Sequence, residues 1–243
     1  MKNAICKNKS FFIFSFIYII FTTIVSLILK DLLYFVLGWN IFLATLPLLF
    51  STIFIIKYKD NKKTGLIVLF LLWLLFFPNA PYLMTDFIHL QNEVFYQAAR
   101  YEPTLYFRDI KAYLGMLDIV IGCWLGLMMT TKSLYHIHTF LLKRFKKIVG
   151  NIMLVLILIL SGFGIYIGRF LRFNSWDILK PFSLMKNIIQ SLDFFSFKFT
   201  ILFAFIILFI YMIYYYNIPL EEKKWVNDSF SEDLKELDTK NNC

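Results

Sequence analysis

"GLIVLFLLWLLFFPNAPYLMTDFIHL", residues 65–90, is the stretch that decides how this chain folds. It begins as an unbroken apolar run and then brings two prolines, an asparagine, an aspartate and a histidine. From Gly65 to Phe77 a helix is only about 20 Å long, whereas the hydrocarbon core of a bilayer needs roughly 30 Å. A spanning helix must therefore run on through Pro78, Asn79, Ala80 and Pro81. Each proline removes a backbone donor, so the span is expected to kink or break near one membrane face. Carbonyls freed there need new partners, and Asn79 can supply one.

The rest of the chain fits the same solvent. Of 243 residues 59% are hydrophobic and 20% aromatic, with 29 phenylalanines. The apolar residues gather in runs of about eighteen or more, too long for core strands, and alternation with a period of two is absent. Only helices and closed barrels satisfy their backbone in lipid, so the reading is all-α: a polytopic integral membrane protein. Spans are expected at 11–29, 33–56, 65–83, 113–131, 148–167 and 199–217. The first is longer than a signal-peptide core and no small-residue cleavage site follows, so it reads as an anchor. Residues 1–217 form one transmembrane domain. Residues 218–243 read as a polar, acidic tail, either a short solvated helix or disordered.

Lysine and arginine set the orientation. Lys2, Lys7 and Lys9 precede the first span, Lys57, Lys59, Lys62 and Lys63 follow the second, and Lys132, Lys143, Arg144, Lys146 and Lys147 follow the fourth. Short basic loops face the cytoplasm, so both termini are expected inside the plasma membrane. The net charge of +9 is then mainly a topology signal, and no motif supports nucleic-acid binding. Cys6, Cys123 and Cys243 imply no disulfide framework.

One connection breaks the rule. Arg169, Arg172, Lys180, Lys186 and Lys198 fall on the outer side, where positive charge is disfavoured. Arg169 and Arg172 share a helical face and can grip carboxylate or phosphate, or snorkel to lipid headgroups. Asn174, Ser175 and Asp177 follow with hydrogen-bonding groups. Residues 183–194, with Leu184, Met185, Ile188, Ile189 and Leu192 at helical spacing, read as an amphipathic helix on the outer interface.

Asp86 and His89 stand three apart, a spacing that serves a metal, an acid–base pair or a surface ion pair equally well. Asp118 lies inside the fourth span, where a carboxylate faces a partner or a cavity. With Asn79 and Tyr82 these groups gather at one depth, and Gly122, Gly126, Gly164 and Gly168 permit close helix contact.

"FPNAPYLMTDFIHL", followed by "GRFLRFNSWD", resembles the paired signature of a bacterial membrane family catalogued as domain of unknown function 1361. The family's elements fall here on Asn79 to Tyr82, Thr85 and Asp86, His89 and Leu90, and Arg172 to Asp177. The resemblance implies a polytopic helical fold and an important outer-face polar cluster, and it assigns no activity.

Three functions fit these residues. In the first, Arg169, Arg172, Asn174, Ser175, Asp177, Asn79 and Tyr82 bind an anionic lipid or polyprenyl-phosphate head, while Asp86, His89 and Asp118 orient it, hold a divalent ion or catalyse. In the second, Asp118 serves a proton- or cation-coupled carrier, which requires polar groups toward the inner side. In the third, the cluster is an ion-pair network that pins helices and encloses no cavity. No Walker loop, His-Glu-x-x-His or Gly-x-Ser-x-Gly names a reaction.

Overall fold

The computed structural model describes residues 2–59, 65–92, 94–97, 104–173 and 188–230. Helix α1 (Lys2–Leu29) turns back into α2 (Leu32–Lys59). Lys30 closes α1 in the left-handed region at φ 53°, and the Asp31 carboxylate accepts the Leu33 amide at 2.8 Å to start α2.

The third span is the broken one. Helix α3 (Leu66–Phe76) stops before Pro78, one turn of α4 (Asn79–Tyr82) follows, and Leu83–Asn92 winds on as a 3-10 helix. A short antiparallel ribbon, β1 (Tyr96–Gln97) with β2 (Leu105–Tyr106), leads into α5 (Ile110–Arg144). Asp109 caps α5 by accepting the Lys111 amide at 2.9 Å. Helix α6 (Lys147–Tyr166) widens into a π-turn (Ile167–Leu171), α7 (Phe194–Asn217) starts in a capping box of Asp193 and Ser196, and α8 (Leu220–Ser229) follows Pro219.

Six helical stretches are long and apolar enough to cross a membrane: Asn8–Leu29, Leu32–Lys59, Leu66–Gln91, Ile110–Arg144, Lys147–Leu171 and Phe194–Asn217. Helix α2 sits among α1, α3 and α5, while α6 pairs with α7 and meets α5. The largest core cluster joins Trp73, Phe77, Leu134, Ile137, Ile207 and Tyr211. Outward faces carry Phe16, Leu27, Ile67, Trp124, Ile148, Phe197 and Phe205, an apolar girdle suited to acyl chains rather than water.

Two expectations are revised. Residue Lys132 does not open a connection, because α5 continues unbroken to Arg144 with Lys132, His136 and His138 all buried. Each has a partner inside the bundle, so the helix does not need to end where the apolar run ends. Residues 218–230 keep the expected short helix, but it is solvated on one face only. Val226 and Phe230 are fully buried in the main core cluster, so α8 packs on the bundle through its apolar face. Residues 231–243 lie outside the described residues.

Candidate functional site

The site is built at the break in the third span. Pro78 and Pro81 lack the donors that would continue α3, and the freed Phe76 carbonyl is taken by the Asn79 side-chain amide at 2.9 Å. The kinked segment fits because its neighbours are small. A Cβ on Gly164 of α6 would stand 2.7 Å from the Pro78 ring, and one on Gly126 of α5 would collide with Leu83. Glycine at these positions lets α5 and α6 close on the break from two sides.

Beyond the break, the 3-10 winding places residues three apart directly over one another. Asp86 and His89 therefore stack along one edge, facing Arg169 on the π-turn of α6. Nη1 of Arg169 lies 3.4 Å from Asp86 Oδ1 and donates to the Tyr82 hydroxyl at 3.4 Å. Its Nη2 donates to His89 Nε2 at 3.4 Å, which needs the lone pair at Nε2 and hence a neutral imidazole protonated at Nδ1. On the far side of Asp86, Asn40 of α2 donates to Oδ2 at 3.3 Å.

These are long contacts. A guanidinium–carboxylate fork closes at about 2.7–2.9 Å with two parallel bonds, whereas Arg169 is spread over three partners. Asp86 is nonetheless almost fully buried, and the Arg169 side chain is only 16% exposed. The cluster is enclosed but slack.

The slack borders a cavity of about 640 Å³. Its polar end carries Asn79, Tyr82, Asp86, His89, Arg169 and Arg172, with Asn40. Its other wall is apolar, made by Leu33, Val36, Leu37, Trp39 and Leu43 of α2 with Leu75. Val36 and Trp39 are each 48% exposed on the outward face of α2, so the cavity's apolar wall reaches the lipid-facing surface. Arg172 ends the π-turn in the left-handed region at φ 57°, a strained state for a residue with a side chain, and has no acidic partner among the described residues.

Of the residues singled out from sequence, Asn79, Tyr82, Asp86, His89, Arg169 and Arg172 meet around this cavity. Asp118 does not line it: that carboxyl is buried between α5, α1 and α2, where Thr22 lies 2.7 Å from Oδ2. Asn174, Ser175 and Asp177 lie outside the described residues, as do residues 183–187 of the expected amphipathic helix; of its described part Ile188 to Ser191 is helical, and Leu192 and Asp193 leave the helix before α7 begins. Among the described residues no three His, Cys, Asp or Glu side chains converge as a metal site would require. Asn40 was missed by sequence reasoning, although a lone amide in an otherwise apolar span was a visible signal.

A second polar cluster, also missed, occupies the end of the bundle where α1 begins. Asn8 donates to Thr52 at 2.7 Å, and Lys143 of α5 donates to the Asn227 carbonyl of α8. Glu222 of α8 pairs with Lys132 at 3.1 Å and faces His136 Nε2 at 3.8 Å, while His136 Nδ1 meets Ser51 at 3.0 Å. His138 bridges Tyr211 at 2.7 Å and Asn151 at 3.1 Å. Burial acts to raise the Glu222 pKa, but His136 and Lys132 outweigh it and hold the carboxyl below its ordinary value.

Fold and site together define a polytopic helical membrane protein with an amphipathic cavity that ends in two arginines. The chain belongs to the family described as Protein of unknown function (DUF1361), whose model matches residues 39–210. That range contains every polar residue lining the cavity and stops before α8. No curated protein and no solved structure matches the chain.

Proposed function

We propose that the cavity binds the anionic head of a membrane amphiphile, a phospholipid or polyprenyl phosphate. The observation that carries this reading is the shape of its chemistry: one cavity joins a lipid-facing apolar wall to a polar end holding two guanidiniums and one carboxylate. With His89 neutral, that end bears one net positive charge. An acyl or prenyl chain fits along Val36, Leu37, Trp39 and Leu43, and the head meets Arg169 and Arg172. A phosphate offers Arg169 the bidentate partner that Asp86 does not, so the 3.4 Å contacts exchange for shorter ones. Asp86, held by Asn40, then fixes the guanidinium from behind.

A purely structural ion-pair network would close around its charges. The cavity beside Arg169 favours the ligand reading over that one. The lysine distribution supports an outward-facing cavity, and in that orientation the head belongs to the outer leaflet.

The test is native mass spectrometry of the detergent-purified protein, with phosphatidylglycerol or phosphatidylcholine added, beside an Arg169→Gln/Arg172→Gln variant. A phosphatidylglycerol adduct on the wild type that is lost in the variant supports the reading. Equal binding of both lipids, or equal binding by both proteins, overturns it. Conversion of the bound lipid to a product of different mass would add catalysis, with Asp86 and His89 as the groups to replace next.

A further inference from the structure

Asp118 stands apart from the cavity, and its hydrogen bonds do not balance for a carboxylate. The Thr22 hydroxyl of α1 lies 2.7 Å from the Tyr34 carbonyl of α2 and also 2.7 Å from Asp118 Oδ2 of α5. Both separations are those of full O–H···O hydrogen bonds. A threonine hydroxyl has one hydrogen, and a carbonyl and a carboxylate have none. Two bonds among these three oxygens need two hydrogens. With an ionised Asp118 one contact would press lone pair against lone pair at 2.7 Å.

We propose that Asp118 is a proton-binding site, occupied at neutral pH: its Oδ2–H donates to Thr22 Oγ1, and Thr22 donates onward to the Tyr34 carbonyl. Every hydrogen then has one acceptor. The surroundings agree. Asp118 is 0% exposed, and Oδ1 has no hydrogen-bond partner among the described residues, a far greater penalty for a charged carboxylate than for a neutral acid. No lysine, arginine or histidine pairs with it among the described residues. The ionisable groups facing it are the two tyrosines Tyr18 of α1, which donates to the Asp118 backbone carbonyl at 3.2 Å, and Tyr34 of α2, whose hydroxyl packs on Gly115 one turn earlier. Cys123 lies one turn and a half further along α5, and the remaining acid of this region is Asp86 on the 3-10 helix. None of them is a cation that would favour the charged form.

The ligand is a proton rather than a metal ion. A bound cation sits between its oxygens and holds them further apart than 2.7 Å, whereas a proton joins two oxygens at that distance. The proton ties α1, α2 and α5 through a single chain of hydrogen bonds. Its loss removes one bond and leaves a buried charge against two acceptors, so the three-helix contact loosens as the site empties.

Infrared difference spectroscopy of the full chain in lipid tests this. The wild type minus Asp118→Asn should show, at neutral pH, the carbonyl stretch of a protonated carboxylic acid, shifted on transfer to heavy water. The same band should fade as pH is raised. Asp118→Asn should keep the wild-type Tm, because the side-chain amide donates to Thr22 as the acid does, whereas Asp118→Leu should lower it. Absence of the acid band, or an Asn variant no more stable than the Leu variant, overturns the proposal. If neither variant folds, carboxyl-carbon isotope labelling of the aspartates in an Asp86→Asn chain decides: a labelled acid band that persists there supports the proposal, and its absence overturns it. Because Asp118 does not line the cavity, this test and the lipid-adduct test succeed or fail independently.

Discussion

The bundle carries a charged cluster at each end, and the two are built differently. At the broken-helix end Arg169 meets Asp86, Tyr82 and His89 at 3.4 Å each, beside a cavity of about 640 Å³. At the other end Lys132 and Glu222 close to 3.1 Å, and α8 lies over them with Val226 and Phe230 in the core. Both ends contain a base, an acid and a histidine. The first has slack and open volume, so its charges are available to a ligand. The second has spent its charges on one another, so α8 is clamped to α5. Composition alone does not separate a binding site from a clamp; contact length and free volume do.

The sharpest way to break this contrast is at the clamp. Glu222→Ala leaves Lys132 buried without its acid and should cost roughly 3–5 kcal/mol. Unfolding in detergent measures it, and Lys132→Met/Glu222→Leu should recover most of the loss. A loss below about 1 kcal/mol would mean that the pair behaves like a surface one.

A second substitution reaches the helix break. Gly164→Leu drives a side chain into Pro78 and should cost about 1–3 kcal/mol by overpacking while displacing Tyr82 and Arg169 from the cavity. Paired stability and lipid-adduct measurements would show both effects together.

Arg169→Gln should separate binding from stability. Losing one charge-assisted contact set weakens anionic-lipid binding by about 10- to 100-fold, while the stability loss stays below that of Glu222→Ala because the contacts removed are long and Asp86 keeps its Asn40 partner. A large stability loss with unchanged binding would make this end a second clamp.

Acid should release the clamp. The folded-state pKa of Glu222 lies below its unfolded value, so its contribution is present above pH ~4.5, the ordinary glutamate value, and fades as pH falls through the folded-state value. Limited proteolysis at the α7–α8 junction (Asn217–Leu220) against pH measures this, and the dependence should vanish in Glu222→Gln.

The smallest effect is at Arg172. Relief of its left-handed backbone by Arg172→Gly should raise stability by about 0.5–1 kcal/mol while weakening lipid binding, the signature of strain kept for a ligand.

Much of this was legible in advance. The apolar runs mark six crossings because backbone polarity leaves lipid-embedded chains few alternatives, and Pro78 and Pro81 mark the break because a proline has no amide to donate. Asp86 and His89 drew notice by their spacing of three, and Arg169 and Arg172 by positive charge on the disfavoured side. The clamp escaped notice because hydropathy reads Lys132 as the end of a span, and nothing local reveals that Glu222, far along the chain, will neutralise it.

The sequence by itself determined the solvent, the crossings, the site of the break and the residues able to carry charge, since each follows from local polarity and backbone chemistry. Only the tertiary structure decided which charges stay slack and which lock, and which carboxyl keeps its proton. Those outcomes depend on distances of a few tenths of an ångström between side chains that meet only after α1, α2, α5, α6 and α8 have packed.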